Sequence, residues 1–375
     1  LTESGSSSIT TTTAYDGLGR QFQVSNPYRS SDTIVYTTTA YDGLSRPTSV
    51  TGPDGSVVNT FYSGNQTLVQ DQALNERMSQ IDGLGRLTDV WEITSPDPAN
   101  TVQISFPGQL TNASAYHTQY GYDPLGNLTA VTQGTAPGTV QSRTYTYDGL
   151  SRLQTAKNPE QVDTSGTQVA TGYSYDDNSN LMTKTNPNGT SMGFTYDALN
   201  RVTKKTLSTG GVFNYHYDSA PNGNGKGRLD SVSLQADLAP QTAHDGYFYD
   251  GYDSMGRITS AHQVTAGNSY PTSYVYDAAG HMTQETYPSG NTIKTSYDPA
   301  GRISDVQRPG GTDYASGFTY ATNGSVTSMT LGNDLVEHTT YNNRFQPTLI
   351  GLGTSSTDTS RFRLDYTYGV LNGSS

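Results

Sequence analysis

The sequence predicts an all-β protein, an array of antiparallel β-hairpins forming one long sheet. Three observations predict it. A six-residue phrase recurs along the whole chain, and alternating runs rich in Thr, Tyr and Ser flank its copies. No window of 15 residues shows sustained apolar spacing at the period of a helix.

The phrase first stands as Tyr15-Asp16-Gly17-Leu18-Gly19-Arg20. Copies follow at Tyr41, Asp42 and Arg46; at Ile81, Asp82 and Arg86; at Tyr122 and Asp123; at Tyr147, Asp148 and Arg152; and at Tyr175 and Asp176. Further copies are Tyr196, Asp197 and Arg201; Tyr252, Asp253 and Arg257; Tyr276 and Asp277; and Tyr297, Asp298 and Arg302. A stretched version runs from Tyr217 and Asp218 to Arg228, and eroded ones begin at Tyr320, Tyr341 and Tyr368. Several steps are 21 residues, as from Tyr175 to Tyr196 to Tyr217. The gaps 41 to 81 and 81 to 122 are near twice the period, so each is expected to hold a degenerate copy, with 71–77 as one of them.

Each phrase reads as a turn between strands. Runs such as Ile34-Val35-Tyr36-Thr37 and Ile258-Thr259-Ser260-Ala261 carry the β-branched and aromatic residues that favour a pleated surface. The Asp can accept backbone N–H groups two or three residues on, which fixes a turn. Gly, Asn or Ser at position five suits a positive φ. Eight of the fifteen arginines close a phrase, where each reaches back to its own Asp or to an Asp in the next repeat. Stacking the repeats brings like carboxylates together, and interleaved arginines relieve that repulsion. Midway between phrases lie Gly52-Pro53-Asp54-Gly55, Pro187-Asn188-Gly189, Pro288-Ser289-Gly290 and Pro309-Gly310-Gly311, read as tight turns that pair two strands per repeat.

Composition narrows the function. Only 32% of the residues are hydrophobic, against 28 Tyr and 40 Gly, which suits a broad sheet better than one thick core. The net charge of −12 argues against a nucleic-acid surface. Without cysteine there is no disulfide, thiolate metal site or cysteine nucleophile. No 18-residue apolar run offers a membrane span.

Along the chain, residues 1–13 form a Ser/Thr tract. Residues 61–121 are the least regular, with Trp91 and the loop 95–100. Residues 236–250 are an insert carrying its own Tyr249-Asp250 pair. Residues 313–375 keep the Tyr pattern but lose Asp and Arg. Residues 1–375 are read as a single continuous array, cut from a longer chain.

The phrases YDGLGRL, YDPLGNL, YDALNRV, the stretched YDSAPNGNGKGRL and YNNRFQPT resemble the YD repeat of the RHS-repeat proteins, over essentially the whole chain. That family includes bacterial RHS polymorphic toxins, the B and C components of insecticidal toxin complexes, wall-associated proteins and animal teneurins. The resemblance implies a β-strip spiralling into a hollow shell, which encloses an effector in toxins and serves adhesion elsewhere. The core element that closes toxin shells, with its Asp-Pro-x-Gly-Leu stretch and autoproteolytic aspartates, is not found here. Self-cleavage and toxin activity are therefore carried over to no residue.

About 30 strands spaced about 4.8 Å apart make a strip of roughly 140 Å, or roughly 45 Å across if bent into one closed turn. Its open edges imply partners: other copies of the chain, or the rest of a longer one. Surface glycans are a further candidate partner, through the Tyr column.

No enzyme constellation emerges, and no cofactor is expected. The histidines His117, His216, His244, His262, His281 and His338 show no metal-ligand spacing, and His281 stands in the Arg slot of its phrase. His244 beside Asp245 is a candidate loop pair of low weight. Every repeated Asp has a turn-capping role, which is preferred over glycosidase chemistry. The acidic loop 176–180 lacks the EF-hand pattern and reads as an Asx turn rather than a Ca²⁺ site. Sequons at Asn65, Asn112, Asn127, Asn188, Asn323 and Asn372 are explained by composition. The expected function is a non-enzymatic, secreted or cell-surface β-shell or fibre. The alternatives are a glycan- or cell-binding adhesin and a shell segment of a toxin. If no metal supports the fold, EDTA leaves the melting temperature unchanged; a large drop marks a metal site.

Overall fold

The computed structural model describes residues 8–94, 103–106, 110–136, 139–163, 165–218, 224–234, 245–308, 310 and 313–368. The loop 95–100, His244, Asn372, most of the insert at 236–250 and the copy that Tyr368 opens lie outside them. So do residues 219–223 of the stretched turn. The described residues hold thirty strands and no helix. The described strands pair antiparallel with near neighbours in sequence, so the fold is all-β, as the period-two pattern requires.

The phrase turns share one design. In the first, the Gly19 N–H donates to the Asp16 carbonyl at 3.0 Å, and the Asp16 N–H donates to the Arg20 carbonyl at 2.9 Å. Gly19 has φ 76°. The strand register then slips by one residue at the Tyr, as between Thr195 and Tyr196. This is a β-turn followed by a left-handed residue and a bulge, one of the favoured hairpin connections. Position five meets its conformational demand with Gly, with Ser45, Ser151 and Ser179, or with Asn200. The opposite turns repeat the scheme, with positive φ at Gly55, Gly189 and Gly290.

Two expectations about hidden copies need correction. The turn at 71–75 has phrase geometry, but Ser56 Oγ donates to Gln72 Oε1 at 3.1 Å, so it lies beside the Pro-Asp-Gly turn on the opposite edge. The copy missing between 41 and 81 is at Tyr62, a phrase without Asp or Arg. In the gap from 81 to 122 no further phrase stands among the described residues. The strand Leu87–Thr94 pairs directly with Leu110–Tyr122, so one hairpin has simply lengthened.

Contacts cluster into two compact units, one of residues 1–62, 68–76 and 274–375 and one of 63–67 and 77–273. In the second unit, pairing runs in chain order from Leu110–Tyr122 to Ile258–Thr265 and the following strand. Its buried hydrophobics include Met78, Val90, Ala115, Ala156 and Ala261.

In the first unit, turns far apart in sequence meet. Asn343 Nδ2 donates to the Pro53 carbonyl at 3.4 Å, and Asn26 Nδ2 donates to the Asn343 carbonyl at 2.6 Å. Arg344 donates to Gln72 Oε1 at 2.6 Å and lies 3.6 Å from Asp54. Arg29 donates to the Tyr320 carbonyl at 3.0 Å. The phrase-side turns of the late strands thus touch the opposite-side turns of the early ones.

Gly256 carries φ 81°, and a Cβ there would lie 1.7 Å from Arg228 Nη2. Gly126 has a similar φ and open space. Gly126→Ala is expected to cost about 1 kcal/mol, from the left-handed conformation alone. Gly256→Ala should cost clearly more; equal losses in chemical denaturation would contradict the packing role.

Candidate functional site

The candidate site is the repeated constellation of Tyr, Asp and Arg. Asp16 Oδ1 accepts the N–H groups of Leu18 (2.9 Å) and Arg20 (3.0 Å), while Oδ2 accepts Arg20 Nε at 2.7 Å. Asp42, Asp82, Asp148, Asp197, Asp253 and Asp298 repeat this arrangement with the arginine that closes their phrase. The backbone N–H and the guanidinium of that arginine, opposed by desolvation, hold these carboxyls below their usual range.

Where the Arg is absent, another donor takes its place. Asn127 Nδ2 donates to Asp123 at 2.8 Å, and Asn180 Nδ2 donates to Asp176 at 2.9 Å. His281 Nδ1 lies 2.8 Å from Asp277, so imidazole substitutes for guanidinium as its slot implied. Asp176 being so engaged, the loop 176–180 is an Asx turn.

Arg228 departs from the pattern. It donates to the Asn224 carbonyl at 3.2 Å rather than to Asp218. Asp218 instead pairs with Arg201 of the preceding phrase, Nη2 to Oδ2 at 2.8 Å. The stretched turn moves Arg228 off its own Asp, and the neighbour's guanidinium fills the place.

Each phrase is also tied to the next. Arg20 donates to the Asp42 carbonyl, Arg86 to that of Asp123 and Arg152 to that of Asp176, at 2.9–3.2 Å. The guanidinium lies over the following tyrosine ring: Arg20 over Tyr41 at 4.6 Å, Arg46 over Tyr62 at 4.1 Å, Arg86 over Tyr122 at 4.9 Å and Arg302 over Tyr320 at 4.4 Å. That tyrosine's hydroxyl donates to the carbonyl just after the arginine. Tyr41 reaches Gln21, Tyr62 reaches Pro47, Tyr122 reaches Leu87, Tyr175 reaches Leu153 and Tyr217 reaches Val202, all at 2.7–2.9 Å. The eroded Tyr341 keeps the bond, to Val326 at 2.7 Å. Burial pushes the Tyr175 and Tyr217 hydroxyls above their usual range.

Residue types alone did not point to this hydroxyl bond, although the 21-residue step from Tyr41 to Tyr62 was available to locate its donor. Tyr15 has no preceding phrase among the described residues and is 62% exposed. Leucines at position four also stand out from the turns, Leu44 and Leu84 among them.

Two other histidines, His117 and His262, each sit beside a carboxylate. His117 is 2.9 Å from Asp89 and stacks on Trp91; His262 is 2.8 Å from Asp250 and stacks on Phe248. Among the described residues, no group of three His, Asp or Glu side chains is placed to hold a metal. No helix is long and apolar enough to cross a membrane.

The RHS Repeat family matches residues 175–212, 252–292 and 276–313. These segments carry RHS repeats. No curated protein sequence matches it. Among solved structures, the RHS chain is similar to the crystal structure of TcdB2-TccC3-TEV, at 15% identity and a TM-score of 0.75 over 96% of this chain and 19% of that one. It is similar to the Photorhabdus luminescens Tc holotoxin pore with the TccC3-D651A mutation, at 15% identity and a TM-score of 0.74 over the same shares. The likeness is one of fold, and the RHS chain spans about a fifth of the length of those chains.

Depressed carboxyl pKa values contribute stability that is present above the unfolded-state value, near pH 4, and lost as pH falls through the lower folded-state values. Melting temperature is therefore expected to hold from neutral pH to about pH 5 and to fall below pH 4. Asp197→Ala should lower it at pH 7 and flatten the acid limb. An unchanged melting curve would contradict the role given to the Asp.

Proposed function

We propose that this RHS chain is a non-enzymatic structural wall, a length of the β-shell of an exported, toxin-related container. The observation that carries the proposal is the tie from each phrase to the next. Carboxylate, guanidinium, tyrosine ring and tyrosine hydroxyl are all spent on holding neighbouring hairpins together. The polar contacts between early and late turns in one unit add support, because a strip that winds past itself needs such edge contacts. The fold shared with TcdB2-TccC3 supports the same reading. The rest of a longer chain is the proposed partner, and the outside of the cell is the proposed location.

A glycan-binding adhesin working through its tyrosine column is a weaker reading. Those rings lie beneath arginines and their hydroxyls are already committed.

Electron microscopy of the protein from its native source tests the proposal. Closed hollow particles are expected. Long fibres with a short axial repeat would shift the function to an extracellular filament, and binding of surface glycans that is lost on substituting exposed tyrosines would favour the adhesin.

A further inference from the structure

The phrase edge of the sheet carries uncovered apolar side chains at a fixed place in the repeat. Position four of the phrase is Leu18 and Leu44 in one compact unit, and Leu84, Leu125, Leu150 and Leu199 in the other. Each is 69–77% exposed. Surface leucines scattered singly need no explanation. These are not scattered. Successive phrase turns touch, through Arg20 and Ser45 Oγ at 3.2 Å and through Asn127 and Ser151 Oγ at 3.1 Å. With two strands per repeat, neighbouring leucines recur about every 10 Å along the edge.

The turn itself does not require them. Asn178 and Asn323 hold the same position, and the next residue still closes each turn. The Ser179 N–H donates to the Asp176 carbonyl and the Gly324 N–H to that of Ala321, both at 3.0 Å. So exposed, the leucines also give little to their own hairpins. A turn tip that stays in water normally carries polar residues.

The structure shows what position four can meet. In the phrase opened by Tyr341 it is Arg344, which donates to Gln72 Oε1 at 2.6 Å and lies 3.6 Å from Asp54. Its neighbour Asn343 donates to the Pro53 carbonyl at 3.4 Å. These partners belong to opposite-side turns. There a cation at position four faces an acidic turn. Other opposite-side turns, such as Pro187-Asn188-Gly189, Ser208-Thr209-Gly210 and Pro288-Ser289-Gly290, carry no charge, and an apolar tip suits them.

We propose that the position-four leucines form an edge-to-edge docking surface, and that its occupant is the row of uncharged opposite-side turns of another length of YD-repeat sheet. Both edges have the same two-strand period, so leucines about 10 Å apart meet turns about 10 Å apart. The contact extends along the edge the kind of seam that Asn343 and Arg344 already make. Burying the leucines there also closes the seam to water. In the isolated chain, a second copy supplies the opposite edge. The inference rests on the wall reading, whose seams it describes.

The chain has no cysteine, so Leu150→Cys gives a single site for a benzophenone maleimide. The test is photo-crosslinking of this labelled full chain, mixed with isotope-labelled copies, with the linked peptides mapped by mass spectrometry. Links between copies, from position 150 to opposite-side turns, are expected. The second readout is self-association by analytical ultracentrifugation. The triple variant Leu125→Asn, Leu150→Asn and Leu199→Asn should keep its melting temperature, as Asn178 keeps its turn, and should associate roughly tenfold more weakly or worse. Links confined to phrase turns or sheet faces, no links at all, or association unchanged in the triple variant would overturn the proposal. Hollow particles without these links would sink the seam alone. The links found in long fibres would uphold the seam and remove the wall.

Discussion

The hydrogen bond from a phrase tyrosine to the carbonyl just past the turn of the preceding phrase is the constraint on which the rest depends. It fixes the distance between successive turns and holds the ring flat beneath the guanidinium, as in Tyr217 with Arg201 and Val202. The same arginine is held from the other side by its own Asp. One residue of each type therefore serves two hairpins, and a chain poor in large apolar side chains acquires order without a thick core. Individually, exposed ion pairs contribute little. Here the carboxylate also caps two backbone N–H groups, so its loss would leave the turn uncapped as well as the arginine unpaired.

The bond also gives the array a direction. A tyrosine looks back to the phrase before it, and an arginine looks forward to the phrase after. Repeats that have lost Asp and Arg, such as those at Tyr320 and Tyr341, keep the tyrosine bond and stay in the sheet. At Tyr341, Asn342 caps the turn by accepting the N–H groups of Arg344 and Gln346. Asn343 and Arg344 are then free to face other turns, and they contact Pro53 and Gln72. Erosion of the phrase thus coincides with a change of task, from binding the next hairpin to binding distant ones.

Much of this was legible in the sequence, because the repeat is local: turn, cap and bulge are all decided within six residues. The substitution of His281 for Arg followed from its slot. The phrase at Tyr62 is hidden because it carries neither Asp nor Arg, although the 21-residue spacing marks it. The 81 to 122 gap misled because a longer hairpin and a missing repeat leave the same spacing. Arg228 could not be placed because the stretched turn alters its reach. The meeting of residues 53 and 72 with 343 and 344 depends on tertiary contacts over long sequence separations. No local pattern encodes it.

The central claim is that arginine and the following tyrosine are energetically coupled across hairpins. A double-mutant cycle on Arg152 and Tyr175, using Arg152→Gln, Tyr175→Leu and the pair, measures this directly by chemical denaturation. The account predicts a coupling of about 0.5–1 kcal/mol, the double variant losing less than the sum of the singles. Strict additivity would mean that the hairpins are held by backbone pairing alone and that the ladder of rings and guanidiniums is incidental.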